Sequence, residues 1–138
     1  MRTSLLIGLV DDDRVYQFTT ERMLLRIDAD VRFVWFKDGE EALGFLLSHA
    51  DEPSILPDML LLDINMPFMD GWQFLDAFHA NKSALCKTIE IFIISSSSDE
   101  RDQAKAKNHP DVTDYLEKPI TTDLLRSLLE GYQQRHDS

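Results

Sequence analysis

Cysteine is almost absent from this chain. Cys86 stands alone among 138 residues, so no internal disulfide can form and nothing ties the protein to an oxidising compartment. Positive charge is also scarce. Fourteen Lys plus Arg face 25 Asp plus Glu, a formal net charge of −11. That balance excludes a nucleic-acid binder, because the phosphate backbone would be repelled, and it disfavours anionic membrane surfaces. No hydrophobic run approaches the ~20 residues of a membrane span. The apolar stretch from Leu5 to Val10 behind Arg2 has the flavour of a signal peptide. It stops at Asp11-Asp12-Asp13, has no small-residue cleavage site and is shorter than a signal h-region. A soluble, cytoplasmic protein is expected. Glycine and proline number five each, and no linker, repeat or low-complexity tract divides the sequence. The one loop of any length runs from His49 to Pro57. A single domain over residues 1–138 is the economical reading, and 43% hydrophobic residues suffice for a core at this length.

Short apolar runs recur with room for a helix between them: Leu5 to Val10, Val31 to Phe36, Met59 to Leu62, Ile89 to Ile94 and Val112 to Leu116. The first, third and fourth are nearly continuous, the pattern of strands covered on both faces of a parallel sheet. The second is broken by Arg32 and the fifth by Thr113 and Asp114, which marks them as edges. Asp38 with Glu41 suggests a capping box, followed by Ala42, Phe45, Leu46 and His49 at helical spacing. Val15, Phe18 and Leu25 read as the inward side of a helix over Asp13 to Asp28, interrupted by Arg22. Phe74, Leu75 and Phe78 serve Gly71 to Ala80. Leu124, Leu125, Leu128, Leu129 and Tyr132 stripe a last helix that Thr121 or Thr122 could cap. The segment Asp99 to Lys107 offers only Ala104 and Ala106 as inward residues, so it should be weakly anchored. Five β-α alternations imply an α/β fold: a doubly wound, five-stranded parallel sheet in the flavodoxin-like order 2-1-3-4-5, with five helices.

In such sheets ligands bind beyond the carboxyl ends of the strands. There the sequence places Asp11-Asp12-Asp13, Asp63 with Asn65, Ser95 to Ser98, and Lys118-Pro119. Several carboxylates crowded together repel one another unless a cation sits among them. Mg²⁺, which takes one or two carboxylates, several waters and a phosphate, suits that donor set. Lys118 adds a mobile ammonium and Ser95 a hydroxyl. The set reads as an electrostatic clamp for a phosphoryl group, with Asp63, on the central strand, as an aspartate nucleophile.

The run Leu61-Leu62-Asp63-Ile64-Asn65-Met66-Pro67-Phe68-Met69-Asp70-Gly71 resembles the phosphoacceptor signature of response-regulator receiver domains of two-component signalling. Val10-Asp11-Asp12-Asp13 resembles their acidic pair, and Tyr115-Leu116-Glu117-Lys118-Pro119 their lysine-proline segment. The match covers essentially the whole chain and is similar to the stand-alone, chemotaxis-type members, since no output domain follows. The resemblance implies a switch, not an enzyme beyond catalysing its own phosphorylation and dephosphorylation. Asp63 would take a phosphoryl group from a kinase phosphohistidine. Asp11, Asp12, Asp63 and the Asn65 backbone carbonyl would hold Mg²⁺. Ser95 and Lys118 would meet the phosphoryl oxygens, and Ser95 with Tyr115 would form the switch. Pro119 would follow a cis bond that turns Lys118 inward. Partners would be a sensor histidine kinase or histidine phosphotransfer protein and a downstream protein, with a phosphorylation-dependent homodimer also open.

The sequence departs from the family pattern at three places. Asp13 is an extra acid, read as a helix cap. Lys107-Asn108-His109-Pro110-Asp111-Val112 replaces the usual Gly-Ala pair. Ser95-Ser96 replaces the commoner Thr-Ala, so that the Ser96 hydroxyl would narrow access, and Ser97 stands where relatives tune hydrolysis.

Two other readings compete. Asp11-Asp12-Asp13-Arg14-Val15 also fits the opening of haloacid-dehalogenase-like phosphatases, with Asp11 and Asp13 as the working acids. That reading lacks the later strand with acidic ligands and leaves Asp63 idle. An inactive interaction module with the receiver fold is the third, against which all the core residues are present. His49, His79, His109 and His136 are too scattered for a metal site. Cys86 reads as a buried small hydrophobe; Trp35, Phe92 and Ile94 read as core, and Phe68 or Trp72 as an exposed contact.

Overall fold

The computed structural model describes residues 5–66, 69–96 and 99–136. Five strands, β1 (Leu6–Val10), β2 (Arg32–Phe36), β3 (Met59–Asp63), β4 (Glu90–Ser95) and β5 (Val112–Glu117), alternate with five helices. These are α1 (Arg14–Ile27), α2 (Gly39–Ser48), α3 (Gly71–Asn81), α4 (Glu100–Asn108) and α5 (Thr122–His136). The sheet is parallel in the order β2-β1-β3-β4-β5, as the hydrophobic pattern predicts. β1 and β3 are buried at every position, whereas β2 and β5 carry exposed residues such as Arg32, Thr113 and Asp114.

The two faces of the sheet follow from the period-2 alternation of strand side chains. Leu60 and Leu62 join Leu46, Phe74 and Phe78 on the side of α2 and α3. Met59 and Leu61 join Leu24, Leu125 and Leu129 on the side of α1 and α5. Register then aligns the carboxyl ends. Val10 pairs with Leu62, Asp63 with Ile94, and Ser95 with Glu117. Asp11, Asp63, Ser95 and Lys118 therefore leave the sheet at one edge.

Caps set the helix starts. Asp13 accepts from Val15 N and Tyr16 N, Asp38 from Glu41 N, and Thr121 Oγ1 from Leu124 N. A reciprocal capping box forms at α3, between Asp70 and Gln73. Gly71 allows the start of α3 to press on the segment after β3: a Cβ there would lie 2.6 Å from Ile64 Cα and 3.0 Å from Asp63 O.

Several expectations are corrected. On α1 the stripe Val15, Phe18 and Leu25 faces outward, 74%, 57% and 43% exposed. Thr20 and Leu24 are buried, and Tyr16, Met23 and Ile27 pack against the core. The helix carries two apolar stripes, and packing against β1 and α5 turns the one with Tyr16 and Leu24 inward. On α4 only Ala106 is buried, and Ala104 is exposed. Cys86 is exposed, not buried, because it lies in the turn between α3 and β4. Trp35 is half-buried on the edge strand, whereas Phe92 and Ile94 are core. The loop after α2 is pinned by Leu56, which is fully buried. His79 and His109, 30 positions apart in sequence, bring their rings to 6.1 Å.

Candidate functional site

The buried polar side chains among the described residues are Asp11, Thr20, Asp63 and Ser95. Three of the four stand together at the carboxyl edge of the sheet. Burying carboxylates is costly unless they are paired or hydrogen-bonded, so each must be held by specific neighbours.

Asp11 is fully buried. Its Oδ1 accepts from Asp13 N at 2.9 Å and its Oδ2 from Lys118 Nζ at 2.8 Å. Its backbone is clamped as well: Asp11 N donates to Phe36 O at 3.0 Å, and Trp35 Nε1 donates to Asp11 O at 2.7 Å. Asp63 Oδ1 accepts from Asn65 N at 3.0 Å and Oδ2 from Lys118 Nζ at 3.3 Å. Asp12 faces solvent. One carboxylate oxygen from each of Asp11, Asp12 and Asp63 lies within 4.8 Å of the others.

Lys118 reaches this cluster from the loop after β5. Its backbone N donates to Ser95 O at 2.8 Å, and the Lys118–Pro119 peptide bond is cis. Ser95 is fully buried, and its Oγ accepts from Asn65 Nδ2 at 3.3 Å. Tyr115 is half-buried and packs against the α2–α3 side of the core, where it borders a cavity of about 460 Å³ with Gln103, Ala106 and Glu117. Ser96 is exposed. Pro67, Phe68, Ser97 and Ser98 lie outside the described residues. Trp72 is half-buried, with Lys105 Nζ 4.6 Å from its ring.

The electrostatics follow from this arrangement. Burial pushes the Asp63 carboxyl up, against the Asn65 amide and Lys118, which lower it, and Asp11 adds to the rise. Burial alone would lower Lys118, but its hydrogen bond to Asp11 and the charge of Asp63 outweigh that and raise it. Three acids thus stand together with one ammonium, which bonds two of them. The surplus negative charge and the all-oxygen donor set fit a hard divalent cation. Asp11, Asp12 and Asp63 could hold it by carboxylate, and such an ion would supply charge neutralisation for an incoming phosphoryl group.

Two contributors escaped the sequence reading. The Trp35 indole on the Asp11 carbonyl is one. The other is Tyr16, whose ring centroid lies 4.4 Å from Lys118 Nζ. Trp35 had been assigned to packing by residue type and Tyr16 had not been singled out, and only their aromatic character hinted at a further role.

No helix among the described residues is long and apolar enough to cross a membrane. The response regulator receiver domain family matches residues 7–130. A probable methanogenesis regulatory protein, FilR2, of Methanothrix harundinacea is 30% identical over 130 residues, which are 94% of this chain and 81% of that protein. The DNA-binding transcriptional regulator NtrC of Salmonella typhimurium is 32% identical over 125 residues, 91% of this chain but 24% of that protein. A solved two-component response regulator from Cytophaga hutchinsonii superposes with a TM-score of 0.84 at 28% identity, covering 96% of this chain and 99% of that one. With the family match running from β1 into α5, the chain belongs to the response regulator receiver domain family.

Proposed function

We propose that the protein is a phosphorylation-switched signalling module in which Asp63 accepts a phosphoryl group from a histidine kinase or histidine phosphotransfer protein. An Asp63 Oδ forms the new bond to phosphorus as the P–N bond to the donor imidazole breaks. The imidazole keeps the electron pair and takes up a proton. The observation that carries this reading is the burial of Asp11, Asp63 and Ser95 around one lysine at the sheet edge. Mg²⁺, held by Asp11, Asp12, Asp63 and the Asn65 backbone carbonyl, would neutralise the acids. Lys118 and Ser95 would then bind the phosphoryl oxygens.

A phosphoryl group brings roughly two negative charges and strong acceptors. Ser95 moving toward it would vacate space for Tyr115, beside the cavity on the α4–β5 face. α4 buries only Ala106, and so weakly anchored an element is readily biased. The signal would leave by protein contact or phosphotransfer. The outward stripe of α1, Val15, Phe18 and Leu25 with Arg22, begins four residues beyond Asp11 and supports docking of the phosphodonor there. A phosphatase acting through Asp11 and Asp13 would leave Asp63 without a role, and Asp13 is occupied as the α1 cap.

Acetyl phosphate with Mg²⁺ should add one phosphoryl mass, and Asp63→Asn should abolish it. Undiminished labelling in that variant would remove Asp63 from the mechanism. Turnover of para-nitrophenyl phosphate without a stable adduct would favour the phosphatase. Trp35, bonded to Asp11, should report Mg²⁺ binding by fluorescence, and Asp12→Ala should weaken that response.

A further inference from the structure

We propose that Tyr16 is a positioning residue for phosphoryl uptake: its ring face seats the Lys118 ammonium and keeps it aimed at Asp63. The role rests on Asp63 being the phosphoacceptor.

Lys118 is a point charge on a flexible stem, and its two ionic contacts are unequal. Nζ lies 2.8 Å from Asp11 and 3.3 Å from Asp63. Attraction alone therefore draws it toward Asp11, away from the group that must react. A cation entering the acid cluster would compete for the same carboxylate oxygens. The third contact is of another kind. The Tyr16 ring centroid lies 4.4 Å from Nζ, within the range of a cation–π interaction. A hard divalent ion prefers oxygen, so this seat stays with the lysine when the carboxylates are contested.

The ring is rigidly placed. Asp13 Oδ1 accepts from Tyr16 N at 3.2 Å and from Val15 N at 2.9 Å, while Asp13 N donates to Asp11. The aromatic seat and the first acid thus belong to one hydrogen-bonded turn. Tyr16 also packs against the core beside α5. Its hydroxyl is buried without a hydrogen bond of good geometry, and burial pushes its pKa up, against Lys118 and the Ile120 backbone, which lower it. An ill-satisfied buried hydroxyl works against stability. What the side chain supplies here is its ring face.

The test compares Tyr16→Leu, which keeps apolar bulk without a ring, with Tyr16→Phe, which keeps the ring without the hydroxyl. In labelling by acetyl phosphate, Asp63 Oδ bonds to phosphorus and acetate leaves with the electrons of the broken P–O bond. At saturating Mg²⁺, Tyr16→Leu should lower the maximal rate roughly three- to thirtyfold, the rate equivalent of a cation–π contact. Its Mg²⁺ affinity, read from Trp35 fluorescence, should stay within about twofold of wild type. The conservative Tyr16→Phe should rescue the lost rate. In the unmutated protein, ring current should move the Lys118 ε-methylene protons upfield, a readout independent of activity and of whether a variant folds. A wild-type rate in Tyr16→Leu, a Tyr16→Phe as slow as Tyr16→Leu, or unshifted Lys118 protons would each overturn the role. Failure of wild type to label at Asp63 would instead remove the reading beneath it, and the role with it.

Discussion

Replacing Lys118 by methionine should destabilise the protein in EDTA, and Mg²⁺ should reverse most of the loss. Lys118 Nζ stands 2.8 Å from Asp11 and 3.3 Å from Asp63, and both carboxylates are buried. At an effective dielectric constant of ~20, each contact amounts to roughly 5–6 kcal/mol of attraction. That is a ceiling. The lysine side chain keeps 20% of its surface in water, which screens the pairs, and deleting it also removes its own desolvation cost. Breaking a fully buried pair costs about 3–5 kcal/mol. With screening we expect about 2–3 kcal/mol, a Tm lower by roughly 6–10 °C for a domain of this size. Methionine retains the apolar stem, so the loss is one of charge. A divalent ion replaces that charge, and the variant should therefore gain more Tm from Mg²⁺ than wild type does. Urea denaturation and thermal melts, each with EDTA and with Mg²⁺, measure both effects. A variant within about 0.5 kcal/mol of wild type in EDTA, or a loss that Mg²⁺ leaves untouched, would refute the reasoning.

Other substitutions probe the frame around the site. Gly71→Ala puts a Cβ 2.6 Å from Ile64 Cα, backbone that cannot step aside, and should cost about 2–3 kcal/mol in urea denaturation; a cost near zero would mean that α3 shifts freely. Asp111 is raised by burial, but hydrogen bonds from Lys82 and His79 outweigh that and hold its carboxyl below the ordinary range. A depressed pKa stabilises above the unfolded value and is lost as pH falls through the folded one. Asp111→Asn should therefore cost about 1–2 kcal/mol at pH 7, and the gap to wild type should narrow as pH falls below the ordinary aspartate value of about 3.9; a gap that widens in acid would contradict the sign. Phe18 is 57% exposed, so Phe18→Ala should change stability by less than about 0.5 kcal/mol. It should slow transfer from a phosphohistidine protein more than labelling by acetyl phosphate, and equal slowing of both would rule out a docking role.

The strand order and the location of the site could be read before any coordinates. Buried parallel strands announce themselves as uninterrupted hydrophobes, as in Met59 to Leu62. The residues that follow them must then fall at the carboxyl edge. Asp11, Asp63, Ser95 and Lys118 were legible for that reason, and the contiguous Asp63 to Gly71 signature added the family. Helix caps at Asp13, Asp38 and Thr121 were legible because capping is settled within one turn of chain.

Features that depend on two distant elements were not legible. α1 bears two apolar stripes of similar strength, and either could face the core. Only docking of the helix against β1 and α5 chose Leu24 and Tyr16 over Val15 and Phe18, which left a hydrophobic face outside and an aromatic ring beneath a lysine. The Lys118–Asp11 pair joins residues 107 apart in sequence, and the Trp35 indole meets a carbonyl 24 residues away. Cys86 and Ala104 are exposed although their residue types suit a core. Local pattern determined which segments are strands and helices, because hydrophobic period and capping are properties of a few consecutive residues. Which side of each helix turned inward, and therefore which side chains surround the acids, was decided by packing between segments that meet only in the folded chain.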